Sequence, residues 1–348
     1  MKTIIIGGGI VGAAIAHQLR ARGGEVVVFD TGPGATAASF GWVNASFFLN
    51  EDHFRLRQAG IKAWRRLGVG VSWTGALCWE EQGAALEAQA ETLADLGYDV
   101  EVVAGQALRR LEPHVVTPER VLRFAVEGVA EPAATAERLL SGVRRISGVR
   151  VEAITYEGEA VTGVMTAQGH MAADRVVVAA GNGSPTLLEP LGVNLPMLHR
   201  PGVMVRTRAV APVMSHVLVT PGGEVRQDAE GHIWTPTAAN HQADDSAQVP
   251  YALDLLAERA TERLRALVPG QEIAWDRAML ADRPVPKDGL PVLGPAGPKG
   301  CFVAVMHSGV TLAAIAGALM GAVVTDAALS NEQAALMAPY DPGRFQSG

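Results

Sequence analysis

The sequence predicts an α/β protein. One domain surrounds a mostly parallel sheet assembled from segments far apart in the chain, and a second, α+β domain carries a mostly antiparallel sheet. Three observations predict this. The chain opens on an apolar strand, a glycine turn, a helix and a second strand. The apolar run Val176-Val177-Val178-Ala179-Ala180 ends in Gly181-Asn182-Gly183, as a buried parallel strand does where its carboxyl end opens toward a ligand. A strand, turn and small-residue helix then returns near the end of the chain, with Cys301 to Val305 followed by a helix to about Val324.

The opening unit is the most informative stretch. Thr3-Ile4-Ile5-Ile6 is the strand, Gly7-Gly8-Gly9-Ile10-Val11-Gly12 the turn and helix start, and Glu25 to Phe29 the second strand, closing on Asp30. This is the spacing of a Rossmann-like dinucleotide-binding unit. Gly7 permits the tight turn, Gly9 lets backbone approach a pyrophosphate, and Gly12 lets the helix pack close on the strand. The helix N-terminus offers N–H groups and a positive dipole end to the phosphates. Asp30 is placed to accept both hydrogen bonds of an adenosine ribose. An ordinary glycine-rich turn would account for the glycines but not for the strand, helix, second strand and terminal acid together.

The segment Thr31 to Asn44 is too small and polar for a core element and too uncharged for an ordinary solvent loop; small residues let backbone lie against something flat. From Glu51 to Leu67, Phe54, Ile61, Trp64 and Leu67 recur at helical spacing, with Arg and Lys assigned to the other faces. His53 is read as a surface or capping residue. Thr74 to Glu80 is a strand, Ala84 to Leu96 and Gln106 to Leu111 are helices, and Ala133 to Ile146 is a helix. Strands are expected at Val149 to Thr155, Ala160 to Thr166 and Arg175 to Ala180. From Pro196 to Met279 come shorter strands, Val203 to Thr207, Val225 to Gln227 and His232 to Thr235, with one helix whose Leu253, Leu256, Ala260, Leu264 and Leu267 share a face. The polar loop Ala238 to Val249 reads either as a lid or as an inert surface loop. The expected boundaries are 1–72, 130–192 and 280–348 for the nucleotide domain, and 73–129 and 193–279 for the second.

Composition narrows the partners. A chain of 348 residues, 48% of them hydrophobic, is long enough for two domains with a sizeable core. The net charge of −7 argues against nucleic acid or an anionic membrane, since the basic pairs Arg65-Arg66 and Arg144-Arg145 read as solvated helix faces. The N-terminus runs straight into the glycine turn without a signal-peptide pattern, and Val310 to Val324 is too short for a membrane span, so a cytoplasmic protein is expected. Cys78 and Cys301 form neither a CxxC nor a metal spacing, and no metal is expected.

Three separated motifs, the Gly7 to Asp30 unit, the Val176 to Gly181 strand and the Arg283 to Thr311 segment, together resemble the D-amino-acid oxidase superfamily of FAD-dependent oxidoreductases. The glycine oxidase, sarcosine oxidase and amino-acid dehydrogenase members are the nearest in pattern. The resemblance runs in order along nearly the whole chain and is specific in these motifs and in the Thr36 to Trp42 loop. It implies an FAD-binding domain built from discontinuous segments and a substrate-binding domain. It further implies that Thr36, Ser39, Phe40, Gly41 and Trp42 run beneath the flavin and its phosphate linkage. The main chain of Val151 would hold the adenine, and Ala180 and Gly181 would sit near the cofactor. Ile10, Val11 and Thr31 complete the set beside the glycine turn and Asp30.

Two later segments carry the reacting half. If Gly309 opens the last helix, the N–H groups around Ser308, Gly309, Val310 and Thr311 and the dipole end face the flavin pyrimidine, where negative charge accumulates on reduction. His307 is the candidate for direct contact, and a structural histidine bonded to backbone is the alternative. In oxidase relatives the arginine of a matching Arg-Pro segment grips the substrate carboxylate, which implies that role for Arg283; a fork-to-fork pairing suits guanidinium. A structural ion pair is the alternative for Arg283. Trp42, Trp234 and Tyr251 are candidates for shaping the cavity.

No second GxGxxG follows a strand, which argues against a separate NAD(P)H site, and the lack of a cysteine pair argues against a disulfide reductase. No cysteine stands beside Arg283, where sarcosine oxidase relatives attach flavin through sulfur, and no histidine closely follows Ser39-Phe40-Gly41, so the resemblance implies that FAD is bound non-covalently. The expected activity is oxidation of a small amino acid or related amine to an imine by hydride transfer to flavin, with oxygen or a quinone as electron acceptor. Two alternatives remain: a partner-dependent or non-catalytic subunit of a hetero-oligomeric dehydrogenase, and an NAD-dependent dehydrogenase, which the discontinuous C-terminal motif disfavours. Homo- and hetero-oligomers are both compatible with the sequence.

Overall fold

The computed structural model describes residues 1–238 and 246–346. Its first sheet has six strands in the spatial order Val292–Pro295, Cys301–Val305, Arg175–Val178, Lys2–Ile6, Glu25–Asp30, Arg144–Ser147. Every neighbouring pair is parallel except Val292–Pro295 with Cys301–Val305. Ile5 stands beside Val28 on one side and Val177 on the other. These strands are apolar without alternation because both faces are covered. Ile5, Val28 and Val177 pack with the helices Ile10–Ala21 and Gly309–Val324, while Ile4, Ile6, Val27 and Phe29 pack with Val151, Ile154 and Val164 of a small antiparallel sheet. The two helices touch closely because a Cβ on Gly317 would lie 2.8 Å from the Ala14 carbonyl oxygen.

The second sheet has eight strands in the order Trp275–Asp282, Pro201–Thr207, Ile233–Pro236, Gly223–Gln227, Val217–Thr220, Ala76–Cys78, Arg120–Phe124, Glu101–Ala104. It is antiparallel apart from the pairing of Val217–Thr220 with Ala76–Cys78. The helix Leu253–Leu267 lays Ala257 and Ala260 against Val205 of this sheet.

The helix expected to run to Ile146 instead ends after Leu139, and Arg144–Ser147 is an edge strand of the first sheet. Gly142 adopts φ +71°, a left-handed conformation that stops the helix, and Ile146 then pairs with Phe29. Arg145 is therefore not on a solvated helix face but on a strand beside Asp30. The helix Glu51–Leu67 has the expected bounds, yet Arg57 and His53 both lie on its buried side. His53 is neither exposed nor the cap: it is 4% exposed, and Asn50 caps the helix by accepting from the His53 N–H. Of the loop Ala238 to Val249, residues 239–245 lie outside the described residues.

Candidate functional site

The site begins at the glycine turn. The Gly7 N–H donates to the Phe29 carbonyl at 2.8 Å, tying the turn to the second strand. Gly7 has φ +114°, and a Cβ there would lie 2.3 Å from the Ala179 carbonyl oxygen; one on Gly12 would lie 2.0 Å from the Gly7 carbonyl oxygen. No side chain fits at either position, so strand, turn and helix meet backbone to backbone. The Ile10 N–H, in the first turn of the helix, donates to Thr36 Oγ1 at 3.0 Å. Asp30 lies over Gly8, whose Cβ would stand 2.6 Å from Asp30 Oδ2. That oxygen accepts from Arg145 Nη2 at 3.0 Å, and Oδ1 accepts from the Gly32 N–H at 3.2 Å, just past Thr31. A helix N-terminus with an acid at the end of the next strand fits a dinucleotide, phosphates at the first and ribose at the second.

The loop after Asp30 joins this turn to the far end of the chain. Gly41 has φ +89°, and its Cβ would lie 2.2 Å from the Ala130 carbonyl oxygen. Just past Ser39, the Phe40 carbonyl accepts from Arg226 Nε at 2.6 Å; Arg226, itself buried, also pairs with Glu131 and stacks 5.1 Å from the Trp234 ring. The Trp42 carbonyl accepts from Thr311 Oγ1 at 3.1 Å, and the Val310 carbonyl accepts from the Trp64 indole at 2.9 Å. A Cβ on Gly309 would lie 3.3 Å from Val11 Cγ2, so the helices Ile10–Ala21 and Gly309–Val324 begin side by side. Their positive dipole ends reinforce one another there. Ser308, which precedes the second of these helices, holds φ +57°, a left-handed conformation uncommon for a residue with a side chain. His307 is half-buried, its Nδ1 3.4 Å from Ser308 Oγ.

Behind this turn lies a charged core that the sequence reading missed. Arg57 is 2% exposed; its Nε donates to the Asn44 carbonyl at 3.1 Å, its Nη1 to Ser308 Oγ at 2.7 Å, and its Nη2 to Asn44 Oδ1. Glu127 is fully buried and accepts from the Trp42 indole, the Ala45 and Ser46 N–H groups and the Tyr98 hydroxyl. Burial lowers the Arg57 pKa to about 10 and raises that of Glu127, against the pull of the donors around its carboxylate. Burial, with Arg57 nearby, holds His53 neutral by lowering its pKa to about 3; its Nδ1 accepts from the Leu49 N–H. The signal for Arg57 was present: it stands three residues after Phe54, four before Ile61 and seven before Trp64, on the apolar stripe itself.

Arg283 follows the strand Trp275–Asp282, and its Nε donates to the Arg200 carbonyl at 3.2 Å. The expected Gly181 turn meets it: Asn182 Nδ2 donates to the Asp282 and Arg283 carbonyls, and a Cβ on Gly181 would stand 3.7 Å from Pro284. Ala180, preceding this turn, is half-buried. A cavity of about 570 Å³ lined by His199, Pro201, Gln248, Leu280 and Asp282 opens beside this strand. Val151 is buried in the apolar cluster that holds Ile6 and Phe29. Tyr251 is 49% exposed and stacks on Arg259, while Trp234 donates its indole to Asp228 and packs against the cluster that holds Phe40 and Trp42. Burial pushes the thiols of Cys78 and Cys301 up to about 12. Among the described residues no three His, Cys, Asp or Glu side chains converge as a metal site, and no helix is long and apolar enough to cross a membrane.

Comparison with known proteins gives concordant results. A family model described as "DAO: FAD dependent oxidoreductase" matches residues 2–323. The chain is 26% identical to a glycine oxidase of Pseudomonas putida, over 98% of each chain. It is 28% identical to a D-amino acid dehydrogenase of Rhizobium johnstonii, over 88% of this chain and 91% of that one. The fold superposes on the crystal structure of glycine oxidase from Geobacillus kaustophilus with a TM-score of 0.82, at 21% identity and covering 98% of each chain.

Proposed function

The chain belongs to the DAO family of FAD-dependent oxidoreductases, and from that premise we propose that it oxidises a small amino acid or related amine, with Arg283 holding the substrate carboxylate. The observation that carries this reading is the meeting of three distant segments. Thr36 joins the loop to the first helix through the Ile10 N–H, Thr311 joins the same loop to the last helix through the Trp42 carbonyl, and Gly309 stands against Val11. That meeting supports a reading in which a dinucleotide's phosphates and the start of the last helix share one path.

Bound FAD supplies the acceptor for two electrons and a hydrogen. The chain's own residues do the rest. Asp30 and the first helix hold the adenosine and phosphate half, with the Val151 main chain toward the adenine. The Ser308–Thr311 turn presents its N–H groups where charge develops. Arg283 would orient the amine by its carboxylate; the Cα hydrogen leaves with its electron pair as the nitrogen lone pair closes the C=N bond, the surplus proton passes to water, and water hydrolyses the imine. Gly181 and Asn182 brace the Arg283–Pro284 segment from the parallel sheet. FAD is held without a covalent link on this reading, in keeping with two cysteines that are both buried. Residues 1–72, 130–192 and 280–348 form the FAD-binding domain, and 73–129 and 193–279 the substrate domain.

Anaerobic mixing of the yellow protein with a panel of amino acids and secondary amines tests the proposal. Bleaching of the flavin by at least one of them is the expected result; a bound flavin that no amine bleaches, but a hydroxy acid does, would overturn it.

A further inference from the structure

We propose that Arg57 is a positioning residue for the electron-accepting step: a buried positive charge that fixes the Ser308–Gly309 turn and would raise the reduction potential of a flavin bound against that turn. The inference rests on the reading above that the flavin ring meets this turn.

The geometry separates two tasks. Arg57 Nη1 reaches Ser308 Oγ at 2.7 Å, gripping the one residue of the turn held in a left-handed conformation. Its remaining contacts, Nε and Nη2, both go to Asn44, a residue of the loop that also bonds the last helix, since the Asn44 N–H donates to Thr311 Oγ1 at 3.3 Å. One guanidinium thus clamps both the loop and the helix start. The second task is electrostatic. Arg57 is buried with neutral partners on its fork, Asn44 and Ser308, and the neutral His53 one turn before it. Glu127 faces the loop from the other side, bonded to Trp42, Ala45, Ser46 and Tyr98 and not to Arg57. Glu127 acts on Arg57 through space without bonding to it, and the positive end of this core is the end that touches Ser308. A charge excluded from water there acts on a reduced, negatively charged ring far more strongly than an exposed one would.

The test is the flavin midpoint potential, measured by equilibration with reference dyes in four variants. Arg57→Met removes the charge. Asn44→Asp keeps an oxygen for Arg57 Nη2 and cancels the charge in place. Arg57→Lys keeps the charge and loses the fork, and Ser308→Ala keeps the charge and loses the grip. In Arg57→Met and Asn44→Asp the equilibrium for reduction is expected to fall roughly tenfold or more, about 30 mV for a two-electron couple. In Arg57→Lys and Ser308→Ala it is expected to stay within about threefold. If Arg57→Met does not fold, Asn44→Asp gives the same readout in a protein whose core remains paired. Potentials for Asn44→Asp and any folded Arg57→Met equal to the parent, or an Arg57→Lys potential as low as that of Arg57→Met, would overturn the charge role. His307→Ala separates the two levels. A shift of the flavin's visible bands in that variant without potential shifts in the others overturns the Arg57 inference alone, whereas no spectral or potential change in any variant overturns the placement of the ring.

Discussion

Arg57 and Glu127 grip opposite ends of one peptide unit: Arg57 Nε donates to the Asn44 carbonyl at 3.1 Å, and Glu127 Oε1 accepts from the Ala45 N–H at 3.2 Å. The Asn44–Ala45 peptide therefore lies along the line from a buried cation to a buried acid, its own dipole aligned between them. The loop that carries Trp42 to Asn44 is fixed by this clamp rather than by apolar packing alone.

Removing one jaw should be costly. Glu127→Ala takes the carboxylate acceptor from the Ala45 and Ser46 N–H groups, the Trp42 indole and the Tyr98 hydroxyl, leaves the Ala45 N–H only Tyr98 Oη at 3.4 Å, and removes the carboxylate whose charge acts on buried Arg57. A loss of about 3–5 kcal/mol is expected. Urea unfolding of the FAD-loaded protein measures it, and a loss under about 1 kcal/mol would show that the core carries no such strain.

Acid should unfold the protein through His53. Its pKa is about 3 in the folded chain against an ordinary 6.5, so the unfolded chain binds the proton first as pH falls. Stability is complete above pH 6.5 and drains between pH 6.5 and pH 3. About 2 kcal/mol should be lost between about pH 7 and pH 5. His53→Gln should flatten that slope; a parallel slope in parent and variant would refute the assignment.

Arg283→Ala should weaken the grip on an amino-acid carboxylate by roughly 2–5 kcal/mol while FAD stays bound, and Arg283→Lys should recover only part of it, because an ammonium cannot make the forked pair. Titration of the oxidised protein with a non-reacting carboxylate analogue, followed by the flavin spectrum, reads the affinity directly. Unchanged affinity in both variants would assign Arg283 to structure.

Gly12→Ala should abolish FAD loading, since the new Cβ would meet the Gly7 carbonyl oxygen at 2.0 Å. Thr36→Val should be far milder, about 1 kcal/mol from the lost acceptor of the Ile10 N–H. The FAD content of the two purified proteins distinguishes them.

The parts of the site that a local pattern encodes were legible in the sequence. The glycine turn is a demand on single residues, and Gly7 and Gly12 show why: each has no room for a Cβ. The start of the last helix at Gly309 was equally readable, since turn chemistry is written within a few residues, whereas the Arg283-Pro284 segment stood out only through the family resemblance. The helix expected to run to Ile146 failed because propensity favoured continuation, whereas the left-handed Gly142 and pairing with Phe29 made Arg144–Ser147 a strand. Arg57 and Glu127 were missed for a different reason. A charge on an apolar stripe is normally taken as a defect of the pattern, and its partners, Asn44 and Ser308, lie 13 and 251 residues away. Arg226 under Phe40 is the same case, 186 residues from the carbonyl it holds.

The strand Arg175–Val178 is hydrogen-bonded on one side to Lys2–Ile6 and on the other to Cys301–Val305. During synthesis the first sheet therefore waits, with one central edge unpaired, until Cys301–Val305 has left the ribosome. Pairings of such long sequence separation close slowly, and an open apolar edge invites association in the meantime. A chain cut short before Cys301 would keep its glycine turn intact and still be an aggregating protein, because the sheet the turn belongs to is finished last.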